Sequence, residues 1–188
     1  MAVIHRTTMS PTKLELLTAW LPTQPWYRGG PEPKLAKAGG FRLDDPAGEV
    51  GIEFMIVTDA SSAEPVAYLL PLTYRGAPLD GVDAAAGALI GTSEHGVLGT
   101  RWIYDGVHDP VLVARLTALV RGETVAQAQS ESDTPDRSVR VAATDLDTAA
   151  PVVHRVLGPA ADDASGTVVA SWQLPDGTRA EGVVVSAR

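Results

Sequence analysis

Val50–Thr58 is an almost unbroken apolar, β-prone run whose side chains divide between two faces with a period of two. Ile52, Phe54 and Ile56 fall on one side and Glu53, Met55 and Val57 on the other, the signature of a strand packed on its faces. A polar turn over Asp59–Glu64 leads into a second β-prone run, Val66–Tyr74, so a long antiparallel hairpin is expected. Pro71 lies inside the returning strand. That points to an edge position or a bulge, because proline cannot donate to a ladder.

The pattern is most fully specified over Ala88–Gly122, which reads as strand, turn, strand and a helix capped at both ends. Within Arg101–Asp105, Trp102 and Tyr104 point one way, and Arg101, Ile103 and Asp105 the other. Asp109 supplies an N-cap oxygen, and Pro110 sits where a helix lacks an N–H partner anyway. Leu112, Leu116 and Leu119 make the buried stripe, with Val113 and Val120 beside it. Arg121 complements the C-terminal dipole, and Gly122 permits a left-handed stop.

The flanking segments are weaker. Val3–Thr8 is a candidate first strand, after which Ser10 and Pro11 are expected to open a helix. Leu14, Leu17 and Leu21 recur at helical spacing, with Leu16 and Trp20 on an adjoining line. Pro22 and Pro25 end the helix, and Trp26 and Tyr27 are expected to fold back onto it. Gly29–Gly40 reads as a loop with at most one helical turn at Lys34–Lys37, Phe41–Leu43 as a short strand, and Asp44–Pro46 as a turn. Past Gly122, Thr124–Ser130 is a strand candidate and Ser130–Arg137 a polar linker. Strands are then expected at Val139–Ala143, Val152–Leu157, Thr167–Leu174 and Arg179–Ser186, the last two flanking the turn Pro175-Asp176-Gly177-Thr178. The resulting fold class is α+β: a curved antiparallel sheet packed with two main helices, plus a small C-terminal antiparallel β-meander. The expected division is residues 1–131 and 138–188.

Composition narrows the function classes. The chain has 188 residues, 45% hydrophobic and 5% aromatic, so Val, Leu and Ala must fill most of the core. The net charge of −8 argues against broad nucleic-acid binding and against an anionic membrane surface. There is no cysteine, hence no disulfide, thiol nucleophile or thiolate metal site. No apolar run approaches a membrane span and the N-terminus has no long apolar segment, which sets the expectation of a cytoplasmic protein.

Several short motifs run in a fixed order: Trp20-Leu21-Pro22, Trp26-Tyr27-Arg28-Gly29, Leu70-Pro71-Leu72-Thr73-Tyr74-Arg75, Trp102-Ile103-Tyr104-Asp105 and His108-Asp109-Pro110. In this order they resemble the N-terminal cap of actinobacterial maltokinases. Arg155-Val156-Leu157-Gly158 resembles the entry to the kinase-like lobe that follows such a cap. A kinase-like phosphotransferase needs a phosphate loop, a lysine on a following strand, a catalytic aspartate and a metal-binding aspartate. Here the loop after Leu157 carries Asp162 and Asp163, no lysine follows Lys37, and the sequence stops at Arg188. The resemblance therefore implies a stand-alone cap-like module without kinase machinery. Its implied setting is glycogen, maltose and trehalose metabolism.

No catalytic, cofactor-binding or metal residue is expected, and no cofactor. His5, His95, His108 and His154 show no metal-ligand spacing, and Ser93-Glu94-His95 diverge on a strand rather than forming a triad. Glu53 has no evident partner carboxylate. Trp20, Trp26, Tyr27, Tyr74, Trp102 and Tyr104 suit a sugar platform, though filling the core is the simpler role. The candidate surface for a sugar or partner is Trp26, Tyr27, Tyr74, Trp102, Tyr104 and Val184, the last on a strand expected to present a free edge. The expected function is a non-enzymatic interaction or regulatory module of α-glucan metabolism. Its expected partner is a protein, either a second copy in a homodimer or an α-glucan- or trehalose-metabolising enzyme. The alternatives are a small carbohydrate-binding protein and a small enzyme with an unrecognised site.

Overall fold

The computed structural model describes residues 8–81, 88–144, 150–159 and 164–187. Val3–Thr7 of the first strand candidate, His5, and the Asp162-Asp163 pair lie outside the described residues. The fold is α+β, with a curved, unclosed antiparallel sheet and two helices. Its strands are β1 (Met9–Ser10), β2 (Leu35–Leu43), β3 (Gly51–Asp59), β4 (Val66–Arg75), β5 (Leu89–His95), β6 (Gly99–Asp105), β7 (Arg140–Ala142), β8 (Pro151–Val153), β9 (Val156–Leu157), β10 (Thr167–Gln173) and β11 (Arg179–Ala187). The helices are α1 (Lys13–Trp20) and α2 (Pro110–Val120). The strand order is β1-β5-β6-β4-β3-β2-β10-β11-β8, with β7 on β10 and β9 on β4.

The predicted hairpin is the centre of the sheet. β3 and β4 pair in unbroken register from Gly51↔Tyr74 to Asp59↔Val66. The two faces predicted for β3 each carry a hydrophobic cluster. Ile52, Phe54 and Ile56 pack with Leu112, Leu116 and Leu119 of α2. Met55 and Val57 pack with Leu17 and Trp20 of α1 and with Tyr68, Leu70 and Leu72 of β4. Each buried Leu of α2 contributes about 1.5–3 kcal/mol by leaving water. Asp109 caps α2 by accepting from the Val111 N–H, and Gly122 takes φ +73° past its end. Val113, expected beside the buried stripe, is instead 38% exposed.

Four local expectations are corrected. The cap of α1 is Thr12, not Ser10. Thr12 accepts from the Glu15 N–H, and Glu15 reaches back to the Thr12 N–H at 2.7 Å. Ser10 has Lys13 three residues on, which offers no acceptor for that reciprocal bond, and it pairs in β1. The second correction is β2, which begins at Leu35 and takes up the second half of the segment expected to be a loop, while residues 29–34 carry no regular structure. The misleading residues are Gly39 and Gly40, which pair with Ile56 and Met55 just after a register shift between Lys37 and Gly39. A Cβ on Gly40, at φ +129°, would lie 2.1 Å from the Phe54 carbonyl oxygen, so only glycine fits.

The third correction concerns Pro71, which is neither at an edge nor in a bulge. The Leu69 N–H donates to the Arg155 carbonyl at 3.0 Å, so the Pro71 nitrogen, two residues on, faces the same side. On that side β9 covers Ala67–Tyr68 and β6 covers Leu72–Arg75. Pro71 falls in the gap between them, where no ladder N–H is required. Fourth, Thr124–Ser130 is not a strand: Gln127 makes only isolated bridges to Arg42 and Pro135. Its small residues leave little to pack on a sheet face.

The C-terminal strands join the sheet. Segment Ser130–Arg137 is folded back through Ala128 N–H to Thr134 and Asp136 N–H to Ala126 hydrogen bonds. β10 meets β2 at Trp172↔Gly39, and β10 and β11 pair along their lengths. The edge expected to be free is partly covered by the chain itself: β7 lies on β10, and β8 lies on β11 at Val185–Ala187. No helix among the described residues is long and apolar enough to cross a membrane.

Candidate functional site

Trp20, Leu21, Trp26 and Tyr27 gather with Leu70, Leu72, Tyr74 and Ile103 on the sheet face covered by α1. Trp26 returns onto the helix, its ring centroid 5.9 Å from Trp20 in an edge-on contact and 5.9 Å from Tyr68. Tyr27 stacks on Tyr68 at 5.7 Å. The Tyr27 hydroxyl lies 2.7 Å from Asp59 Oδ2 and 2.8 Å from the Gly30 carbonyl. Asp59, fully buried, also accepts from the N–H groups of Lys34 and Ser61 and from the Ser61 hydroxyl. Burial raises the Asp59 pKa, but these donors outweigh it and hold the carboxyl below its ordinary range. The same contact, added to burial, pushes Tyr27 up to about 12. A Cβ on Gly29 would meet Asp59 Oδ2 and the Tyr27 hydroxyl at 2.1 Å. The aromatic pair and the glycine of Trp26-Tyr27-Arg28-Gly29 are thus spacing requirements of one buried contact.

A second node lies where the N-terminal turn of α1 crosses β3 and β4. Glu53 accepts from Lys13 Nζ at 2.6 Å, from the Tyr74 hydroxyl at 2.5 Å and from Gln129 Nε2 at 3.0 Å. Burial works against the charged form of Glu53. The Lys13 charge and the hydrogen bonds of Lys13 and Tyr74 prevail and lower its pKa. Tyr74 is pushed well above its ordinary value by burial and by the adjacent carboxylate. Lys13 also stands 5.1 Å over the Tyr74 ring.

Two ion pairs finish the arrangement. Arg75, at the end of β4, holds Asp109 with two bonds of 2.7 Å and so fixes the α2 cap. Arg155 Nη2 bonds both oxygens of Asp105 at 2.7 and 2.6 Å, and its guanidinium lies 5.0 Å over the Trp26 ring. This pair spans the gap beside Pro71. All buried carboxylates among the described residues are engaged: Glu53, Asp59, Asp105 and Asp109 as above, and Asp45 by three backbone N–H groups. Among the described residues, no group of three histidine or acidic side chains is placed to hold a metal ion.

The predicted surface set is not one surface. Trp26 and Tyr27 lie together, half-buried, whereas Tyr74 belongs to the Glu53 node. Tyr104 is buried, and its hydroxyl accepts the Leu79 N–H at 2.9 Å; half-buried Trp102 pairs across from Arg75. Val184 is fully buried in the cluster under α2 and offers no side chain to a partner. A position on a short terminal strand predicts exposure, but Val184 shares its cluster with Leu112, Leu116 and Leu119 of α2. Sequence reasoning missed Lys13, Glu53, Asp59, Gln129 and the Asp105–Arg155 pair. The available signal was Glu53 itself, a lone charge among apolar neighbours on both faces of a strand. An open cleft of about 380 Å³ lies elsewhere, where β2 meets β10, lined among others by Gly39, Gly40, Ser171, Trp172 and Arg179.

The fold and these contacts define an α+β domain whose ordered motifs are spent on holding its own layers together. Residues 20–109 match the family model of the maltokinase N-terminal cap domain, which bears out the motif resemblance over that segment. No curated protein and no solved structure matches the chain.

Proposed function

We propose that this chain is a non-catalytic interaction or regulatory module of α-glucan metabolism. The carrying observation is the cap match over residues 20–109 taken with the fate of its motif residues. The cap is a non-catalytic N-terminal module in maltokinase, and the family match associates the chain with maltose metabolism. Trp26, Tyr27, Gly29, Tyr74, Arg75, Asp105 and Asp109 are each engaged in packing, hydrogen bonds or ion pairs within the fold. That supports a scaffold role for the motifs rather than a role in phosphoryl transfer, which relies on positioned cations and metal ions around phosphates. The partner is a protein: a second copy, or an enzyme handling maltose, trehalose or glycogen. A stable interface of this kind buries on the order of 1,200 Å² or more.

The test has two arms. Affinity capture with the tagged chain in its native cell should enrich an α-glucan- or trehalose-metabolising enzyme, with the pair then reconstituted from purified components. Calorimetry and a phosphorylation assay with ATP, magnesium and maltose should show neither tight nucleotide binding nor product. Maltose phosphate formation would overturn the non-catalytic reading. Failure to reconstitute any such pair, with a monomer at all concentrations by light scattering, would overturn the partner reading.

A further inference from the structure

Strands β2 and β10 meet through a single pair, Trp172↔Gly39, whereas β2 pairs along its length with β3 and β10 with β11. The close approach needs glycine: a Cβ on Gly39 would lie 3.0 Å from the Ser171 carbonyl oxygen. With no side chain at Gly39 or Gly40, the seam is left as the open cleft of about 380 Å³, a size typical of small-molecule sites. Ser171 and Gln173 line it from one face of β10, and Arg179 pairs directly opposite Gln173. Gly177, at φ +86° in the turn between β10 and β11, brings its backbone to the same cleft.

The charge of this cleft runs against that of the chain. The sequence has 23 acidic residues against 15 lysines and arginines, yet among the described residues no acidic side chain lines the cleft and Arg179 does. Arg179 donates to the Ser171 hydroxyl and makes no ion pair among the described residues. Glu181, opposite Ser171, feels the Arg179 charge, but both its oxygens are held by Arg140 at 2.8 and 2.7 Å. The other guanidinium N–H groups of Arg179 are therefore unused within the fold. The Ser171 hydroxyl, accepting from Arg179, keeps its proton to donate, and exposed Gln173 adds an amide that both donates and accepts.

We infer that the cleft at the β2–β10 seam is a binding site for a small, hydroxyl-rich molecule bearing one oxyanion, a phosphate ester or a carboxylate. Arg179 takes the oxyanion with its planar fork, a geometry that suits both groups, and the Ser171 hydroxyl donates beside it. The Gln173 amide serves the ligand hydroxyls, and the bare backbone of Gly39 and Gly40 gives a ring a flat wall to lie against. The inference goes beyond the cap reading and does not rest on it.

Calorimetry at low salt compares four probes on the full chain: glucose 6-phosphate, glucuronate, inorganic phosphate and glucose. One of the first two should bind roughly tenfold or more tightly than glucose and than inorganic phosphate, and the tighter of them tells phosphate ester from carboxylate. Arg179→Ala should weaken that binding roughly tenfold or more, the loss expected for a hydrogen bond to a charged group. Arg179→Lys should recover only part of it, because lysine keeps the charge but loses the fork. By NMR, the amide resonances of Gly39, Gly40 and Gly177 should shift as the bound probe is titrated into wild type and stay still in Arg179→Ala. No binding of either anionic probe at millimolar concentration, equal binding by wild type and Arg179→Ala, or shifts confined to other residues would overturn the site. Glucose or inorganic phosphate binding as tightly as the anionic sugars would overturn the ligand class. Should Arg179→Ala fail to fold, the probe comparison and the wild-type shifts need no variant and decide the matter by themselves.

Discussion

Replacing Glu53 by alanine tests whether the polar node under α1 holds the layers together. Its carboxylate takes bonds from Lys13, Tyr74 and Gln129. Removal strands the half-buried Tyr74 hydroxyl and Gln129 amide, at up to about 1–3 kcal/mol for each group left unsatisfied. Lys13 is less costly: its side chain is 31% exposed and can turn to water, so its ion pair is discounted for screening. The expected loss is about 2–6 kcal/mol, from the two stranded groups together. For a chain of this size that lowers Tm by about 4–24 °C. Glu53→Gln keeps an acceptor in place and should cost about 1–2 kcal/mol. Urea denaturation of the three proteins at neutral pH reads these differences. The pH dependence has a definite sign. The Glu53 pKa in the fold lies below its ordinary value of 4.5, so its contribution is present above that pH and is lost as pH falls through the folded value. Wild type should lose this increment in acid and Glu53→Gln should not. A Glu53→Ala cost under about 1 kcal/mol, or equal acid sensitivity in wild type and Glu53→Gln, would refute the reasoning.

Leu116, 2% exposed between α2 and the sheet, should cost about 2–5 kcal/mol when cut to alanine; denaturant unfolding checks it. Val184→Lys places a charge in the core cluster and should cost more than about 4 kcal/mol; circular dichroism should show an unfolded or melted chain. The Tyr27 phenol, raised to about 12, should titrate above free tyrosine in a spectrophotometric titration, and Asp59→Asn should bring it down. Because its neutral form is favoured in the fold, that contribution is present below the unfolded pKa near 10 and fades as pH rises toward the folded value.

Local chemistry alone determined α2, the β3–β4 pairing and the β10–β11 hairpin. An Asp-Pro cap, a leucine stripe, a left-handed glycine and period-two alternation each act within a few residues, so sequence carries them. The order of the cap motifs was likewise legible, since it needs no geometry. What Pro71, Gly39 and Gly40 do was decided only by tertiary structure. A proline is harmless where two neighbouring strands leave a gap, and two glycines permit a strand where Gly40 is crowded by the Phe54 carbonyl and Gly39 by that of Ser171. The same holds for the polar contacts. Glu53 meets Gln129 across 76 positions, and Asp105 meets Arg155 across 50. Nothing in the local pattern links such partners, because a buried charge is satisfied by whatever the topology brings beside it. Val184 gives the converse lesson. Its place on a terminal strand was legible in sequence, but only the packing against the cluster of Leu112, Leu116 and Leu119 decided that its side chain is inside.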